Sequence, residues 1–220
     1  MLKISISPEL KGRVPALTLC CILATVKVGE TPLALWSGIS EKCRELNESL
    51  RTEDISSLPA IRSSRQAYKA TGKDPARYRL SAEALIRRAV KDKELYQINN
   101  VVDLLNLVSL TTGFSIGGYD ADTIVGEVEM GIGQPDEPYT GIGRGVLNIE
   151  GLPVFRDAQG AFGTPNSDSE RTSVTGQTTR FLMVIIGFGA EKNLKEAGAL
   201  ASGLLAKYAS AVDIEIQTIE

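Results

Sequence analysis

Three groups of residues in this chain could do chemistry. The first is a run of amides and a carboxylate, Asn99, Asn100, Asp103 and Asn106. They interrupt an apolar helical pattern made by Val101, Val102, Leu104, Leu105, Val108 and Leu110. Polar groups inside a core helix must be hydrogen-bonded, so residues of this kind fix a neighbouring loop or line a pocket. The second group is the loop from Gly160 to Thr178, with Asn166, Ser167, Asp168, Ser169, Glu170, Arg171 and Thr172. One reading is an exposed turn, since Pro-Asn-Ser-Asp is good turn chemistry. The other is a site built from side chains, in which Asp168 or Glu170 polarises a water and Arg171 holds an anion. The third group is the basic segment from Lys69 to Lys93, where Arg77, Arg79, Arg87 and Arg88 stand among four lysines. Tyr68, Tyr78 and Tyr96 are interleaved with it. Arginine beside aromatic rings suits phosphate contact and base stacking. The alternative is a solvated helix face with pairs such as Glu83 and Arg87.

What is missing narrows the chemistry further. The sequence has no histidine, which removes the commonest general base, imidazole metal ligands, and Ser-His or Cys-His nucleophile pairs. Cys20 and Cys21 are adjacent and Cys43 is separate, a spacing that suits neither an ordinary disulfide nor a zinc site. We therefore expect reduced core thiols, no metal and no cofactor. The stretch Tyr139 to Gly145, YTGIGRG, superficially resembles a phosphate loop. A true one needs Gly-Lys-Ser/Thr opening a helix, so these glycines are read instead as a turn or a close backbone approach.

The elements that must position these residues read as α+β, with helices packed around a mixed or antiparallel sheet. Strands are expected over 2–7, 16–28, 124–132, 145–149, 153–156, 181–188 and 214–219, and Pro8 is expected to stop the first. Helices are expected over 34–50, 56–68, 81–93, 98–110 and 191–211, with Ser81 as an N-cap. Gly117 to Asp120 reads as a turn after the polar-studded helix. Residues 1–220 form one domain by length.

Composition is ordinarily globular, at 43% hydrophobic and 23% charged. The formal net charge of −3 argues against a generic polyanion binder, so no DNA partner is expected and any RNA contact must use a local patch. The longest apolar run, 16–26, is too short to span a bilayer, and no signal peptide is evident at the start. A cytoplasmic protein without a membrane partner is the expectation.

One segment also carries a resemblance. Asn99 to Leu110, followed by Gly113, Tyr119 and Asp120, resembles the editing module (B-three/B-four) of the phenylalanyl-tRNA synthetase beta subunit. There an N-x-V-D-x-x-N-x-V-x-L helix leads into a Gly-rich turn with an aromatic-Asp pair. The likeness runs in looser form over about 63–188, leaving an N-terminal strand-helix extension at 1–59 and a C-terminal helix at 191–211. That family hydrolyses tyrosine mis-attached to phenylalanine tRNA. The resemblance implies a free-standing editing-like module that binds tRNA or an aminoacyl-tRNA end and hydrolyses a mischarged ester in trans. An aminoacyl-tRNA ligase by itself is not expected. The alternative is a non-catalytic module that binds a small molecule or amino acid in the former pocket.

Register places the family's Thr-Asn pair at Leu105 and Asn106, its His at Gly117, and its tyrosine-binding Glu at Val184. Only the Asn survives, and a valine cannot accept a phenolic proton, so tyrosine selectivity is not implied. The expected roles follow from that register. Asn106 orients ester or water, Asp168 is the catalytic carboxylate, and the Gly117-Gly118 backbone amides stabilise the oxyanion. Leu105, Ser169 and Val184 line the pocket, and Arg77, Arg79, Arg87 and Arg88 hold phosphates.

Overall fold

The computed structural model describes residues 2–189 and 191–220. It begins with β1 (Ile4–Ile6) and a short helix α1 (Pro8–Arg13). Pro8 ends the strand as expected but also opens that helix. Its missing N–H is harmless in a first turn, and the Ser7 side chain accepts from the Leu10 amide. Next come β2 (Thr18–Thr25), α2 (Leu33–Ser49), α3 (Pro59–Ala70), α4 (Ser81–Val90) and α5 (Asn100–Thr112). Then follow β3 (Ser115–Asp120), β4 (Val128–Ile132) and a small hairpin, β5 (Thr140–Gly141) with β6 (Gly145–Val146). The chain closes with β7 (Pro153–Asp157), β8 (Gly160–Gly163), β9 (Arg180–Gly187), α6 (Glu191–Tyr208) and β10 (Val212–Ile219).

The result is α+β in three layers. One sheet has the order β10-β2-β9-β3 and is antiparallel throughout. The other has the order β1-β4-β7-β8, with β1 parallel to β4 and the remaining pairs antiparallel. Side chains of β2 and β9 alternate between two cores, as the two-residue period of a strand requires. Cys20, Ile22, Ala24, Phe181, Met183 and Ile185 face the helices. Leu19, Cys21, Leu23, Leu182, Val184 and Ile186 face the second sheet. All three cysteines are free thiols, and burial pushes Cys21 up to about 12. No helix among the described residues is long and apolar enough to cross a membrane.

Some expectations need correction. Gly117 to Asp120 is not a turn but the last four residues of β3, paired with Val184 to Phe181 of β9. The strand expected at 145–149 shrinks to the two residues of β6. Ser81 is the first helical residue, not the cap, and its amide donates to the Pro165 carbonyl at 2.8 Å.

Candidate functional site

α4 presents two faces of opposite character. Ala82, Glu83, Ile86 and Ala89 are buried. Ser81, Ala84, Leu85 and Arg88, spaced at helical intervals, line a cavity of about 250 Å³. α5 contributes Leu105, Asn106 and Ser109 to it, β3 contributes Ile116, and two loops contribute Arg144 and Asn166. A second cavity of about 500 Å³ shares Ala84, Arg144 and Asn166 with the first. Arg77, Tyr78, Arg79 and Leu147 line its far side. The two cavities adjoin at these shared residues, and together they make a trough lined by polar and apolar side chains between Asn106 and Arg77.

α5 is held rigidly by its other polar residues. The Asn99 side chain caps the helix by accepting from the Val101 and Val102 amides. Asn100 accepts from the Gly29 amide and donates to the Lys27 and Tyr208 carbonyls, tying α5 to the ends of β2 and α6. Asp103, fully buried, accepts from the Thr31 hydroxyl at 2.5 Å and from the Ile98 amide at 3.2 Å. Burial pushes its carboxyl above the ordinary range, against the pull of those donors. Asn106 is the exception. Its side chain makes no hydrogen bond with the described residues, and it lines the small cavity.

The loops are fixed against the same frame. Asn166 donates to the Arg79 carbonyl and accepts from the Tyr68 hydroxyl. The β5–β6 hairpin is bonded to the 160s loop through Ile142 N–H and the Asp168 carbonyl at 3.0 Å. Gly143 (φ +64°) and Gly145 (φ +68°) supply the left-handed backbone that turns it. Arg144 stands at this tip, exposed and without an ion-pair partner among the described residues.

The predicted arginines divide. Glu83, 2% exposed, is gripped by Arg65 at 3.0 and 3.2 Å and flanked by Arg87 at 3.7 Å and Arg79 at 3.9 Å. A buried carboxylate needs such partners. Arg87 therefore serves this ion cluster and lines neither cavity. Arg79 borders the cluster and the larger cavity, Arg77 lines the larger one, and Arg88 the smaller.

Of the remaining predicted residues, Leu105 lines the small cavity with Asn106 and the others do not. Gly117 and Val184 are cross-strand neighbours in β3 and β9, and Val184 faces the second sheet. Leu105 lies on the opposite, helix-facing side. Tyr119 occupies the space above Gly117. Its hydroxyl is wedged so closely between Gly117 and Gly163 that a β-carbon at either would overlap it. Its ring meets Phe155 and Phe162 edge-on, at 6.1 and 5.0 Å. The volume that the resemblance gives to a histidine and a glutamate is thus filled by a phenol and a packed valine.

Gly118 is a glycine for the opposite face, where a β-carbon would come within 2.7 Å of Leu105. Its amide is not an open oxyanion donor, because it donates to Asp168 at 3.3 Å. Asp168 keeps a partly exposed margin, yet removal of its carboxyl from water dominates and pushes it up to about 7. Gly118 N–H and the Tyr119 hydroxyl oppose that rise. The Tyr119 hydroxyl acts on the carboxyl by proximity, since it makes no hydrogen bond of ordinary geometry. Asp168 is thus a strut between the loop and the edge of β3, and it lies outside the lining of the Asn106 cavity.

Ser169 is buried, caps the short turn at Glu170–Thr172, and lines a separate cavity of about 290 Å³. Arg171 is committed to Asp157 by two bonds of 2.8 and 2.9 Å, not to an anion. Arg144 was passed over in the sequence because it sits in a Gly-rich turn. A lone cation between two glycines at a hairpin tip was its only signal.

Among the described residues, no group of three or more Cys, Asp or Glu is placed to hold a metal ion. The small cavity is rich in donors (Arg88, Arg144, Asn106, Ser81) and is lined by no carboxylate or lysine. It can bind and orient a polar or anionic group, but it supplies no side-chain general base.

The three-layer α+β fold and this trough define the class of protein, and comparison with known proteins gives the family. Residues 63–216 match the family model of the B3/4 domain, and the chain belongs to that family. It is 32% identical over 87 residues to a phenylalanine–tRNA ligase beta subunit of Psychrobacter arcticus. That stretch is 39% of this chain and 11% of the relative. An N-terminal fragment of the phenylalanyl-tRNA synthetase beta subunit of Pyrococcus horikoshii shares the fold, with a TM-score of 0.51 and 15% identity. The match covers 99% of this chain and 50% of the fragment.

Proposed function

We propose that this chain binds the aminoacylated 3′ end of a tRNA in the trough between Asn106 and Arg77. The observation that supports this most directly is that the two cavities adjoin, with Arg144 and Asn166 lining both. The smaller one accepts the aminoacyl ester, and Asn106, with an uncommitted amide, orients the carbonyl or an attacking water. Arg77, Arg79 and Arg144 border the larger one and take phosphates, the local patch that a chain of net charge −3 requires. In the hydrolysis that follows, water adds to the ester carbonyl. The bond to the ribose oxygen breaks, and its proton passes to that oxygen. No side chain of the small cavity accepts a proton at neutral pH, so the proton transfers run through water and the substrate's own hydroxyl.

Filter binding of total tRNA at two salt concentrations, with a deacylation assay across mischarged tRNAs, tests the reading. Binding should weaken with salt, and Arg77→Ala with Arg144→Ala should lower the logarithmic salt slope by roughly 0.7–0.9 for each phosphate no longer neutralised. Asn106→Ala should depress deacylation more than binding. Absence of tRNA binding even at low salt overturns the reading. The lack of a general base in the cavity would then favour a module that binds a free amino acid or other small anion.

A further inference from the structure

The three tyrosines interleaved with the arginines do not share one environment. Tyr68 is fully buried, with its hydroxyl spent on Asn166. Tyr78 is half-buried, with the Lys73 ammonium 5.0 Å from its ring centre. Tyr96 is 73% exposed, in the segment that follows α4. A large ring left in water forgoes the gain of burial, so its placement calls for a reason.

Its surroundings are ordered. The Arg88 guanidinium lies 4.8 Å from the Tyr96 ring centre. The same guanidinium donates from Nη2 to the Glu94 carbonyl at 2.5 Å, which fixes the cation in place. Arg88 Nε is buried and has no hydrogen-bond partner. The ring is therefore braced by a positioned cation, while most of its surface stays open. Arg88 also lines the small cavity beside Asn106, so one guanidinium separates the ring from the place where the ester would sit.

A flat aromatic surface backed by a fixed cation suits a nucleobase. Every base has a π-face, and stacking needs no sequence match. A base in a duplex is already stacked and cannot use such a platform, whereas an unpaired one can. We infer that Tyr96, braced by Arg88, is the stacking platform for an unpaired nucleotide next to the aminoacylated end. This rests on the RNA reading above and adds to it the feature recognised, a single-stranded end.

The test compares two uncharged RNA hairpins with the same stem, one blunt and one carrying a single-stranded 3′ overhang. Tyr96→Ala should weaken binding of the overhang hairpin roughly 5- to 150-fold, the equivalent of one stacked base. It should change blunt-hairpin binding by less than about twofold, since phosphate contacts are untouched. Tyr96→Phe should bind the overhang nearly as the parent does. Tyr96 is exposed, so an unchanged unfolding midpoint is expected of both variants and is measured alongside. If both hairpins bind and Tyr96→Ala affects them equally or not at all, the platform is refuted while the RNA reading stands. If neither hairpin binds the parent protein, both fail.

Discussion

The register implied by the resemblance sets Gly117 against a histidine, and the structure gives a measurable reason for glycine at this position. A β-carbon at Gly117 would overlap the Tyr119 hydroxyl, and so would one at Gly163. The tyrosine cannot swing aside, because it is fully buried and its ring is held edge-on by Phe155 and Phe162. Overpacking of this kind costs about 1–3 kcal/mol. For a chain of this length each kcal/mol lowers the melting temperature by about 2–4 °C, so Gly117→Ala should lose about 2–12 °C. Tyr119→Phe removes the nearest overlapped atom, the hydroxyl, but leaves ring carbons at 2.5 and 2.8 Å from the added β-carbon. That hydroxyl makes no ordinary hydrogen bond, so the single variant should stay within about 1 kcal/mol of the parent. The double variant should then recover part of what Gly117→Ala lost, with a coupling above about 0.5 kcal/mol. Urea unfolding followed through the single tryptophan, Trp36, gives all four corners of the cycle. Effects that add within about 0.5 kcal/mol would show that the hydroxyl does not occupy the position above Gly117.

Two further outcomes follow from the buried carboxylates. Burial holds Asp168 up at about 7, against about 3.9 in an unfolded chain, so the native state carries the extra proton between those values. Its contribution to stability is full below about pH 4 and is lost as pH rises through about 7, by up to about 4 kcal/mol. Asp168→Asn should flatten that part of a pH–stability curve, and an unchanged slope would remove Asp168 as its source. Glu83→Gln leaves Arg65, Arg79 and Arg87 clustered around a neutral amide. It should lower stability in urea by about 3 kcal/mol, and a loss under about 0.5 kcal/mol would mean that the cluster is not electrostatically coupled.

Local pattern was enough wherever a residue's neighbours in sequence decide its state. The continuous apolar run of β2 announced a strand buried on both faces, and it has one core on each side. The polar residues of α5 announced a framework, and Asn99, Asn100 and Asp103 supply it through bonds to nearby backbone and to Thr31. β3 was illegible for the opposite reason. Its paired glycines read as a turn, and only β9, far along the chain, makes them a strand.

The site followed the same division. The sequence by itself determined which chemistries are open, since a chain without histidine and without clustered cysteines must work with amides, arginines and backbone. It also determined the family likeness and the survival of Asn106. Tertiary structure alone decided which of the candidates meet. It turned Val184 and Gly117 toward the second sheet, because a strand sends alternate side chains to opposite faces, and it packed Leu105 of α5 into the core on the other side. It gave Arg87 to Glu83 and Arg171 to Asp157, because carboxylates withdrawn from water must be paired before any arginine is free for a ligand. It left Arg144 at a hairpin tip without an ion-pair partner among the described residues and Tyr96 open on the surface, two residues whose neighbours in sequence offered no reason to join them to Asn106.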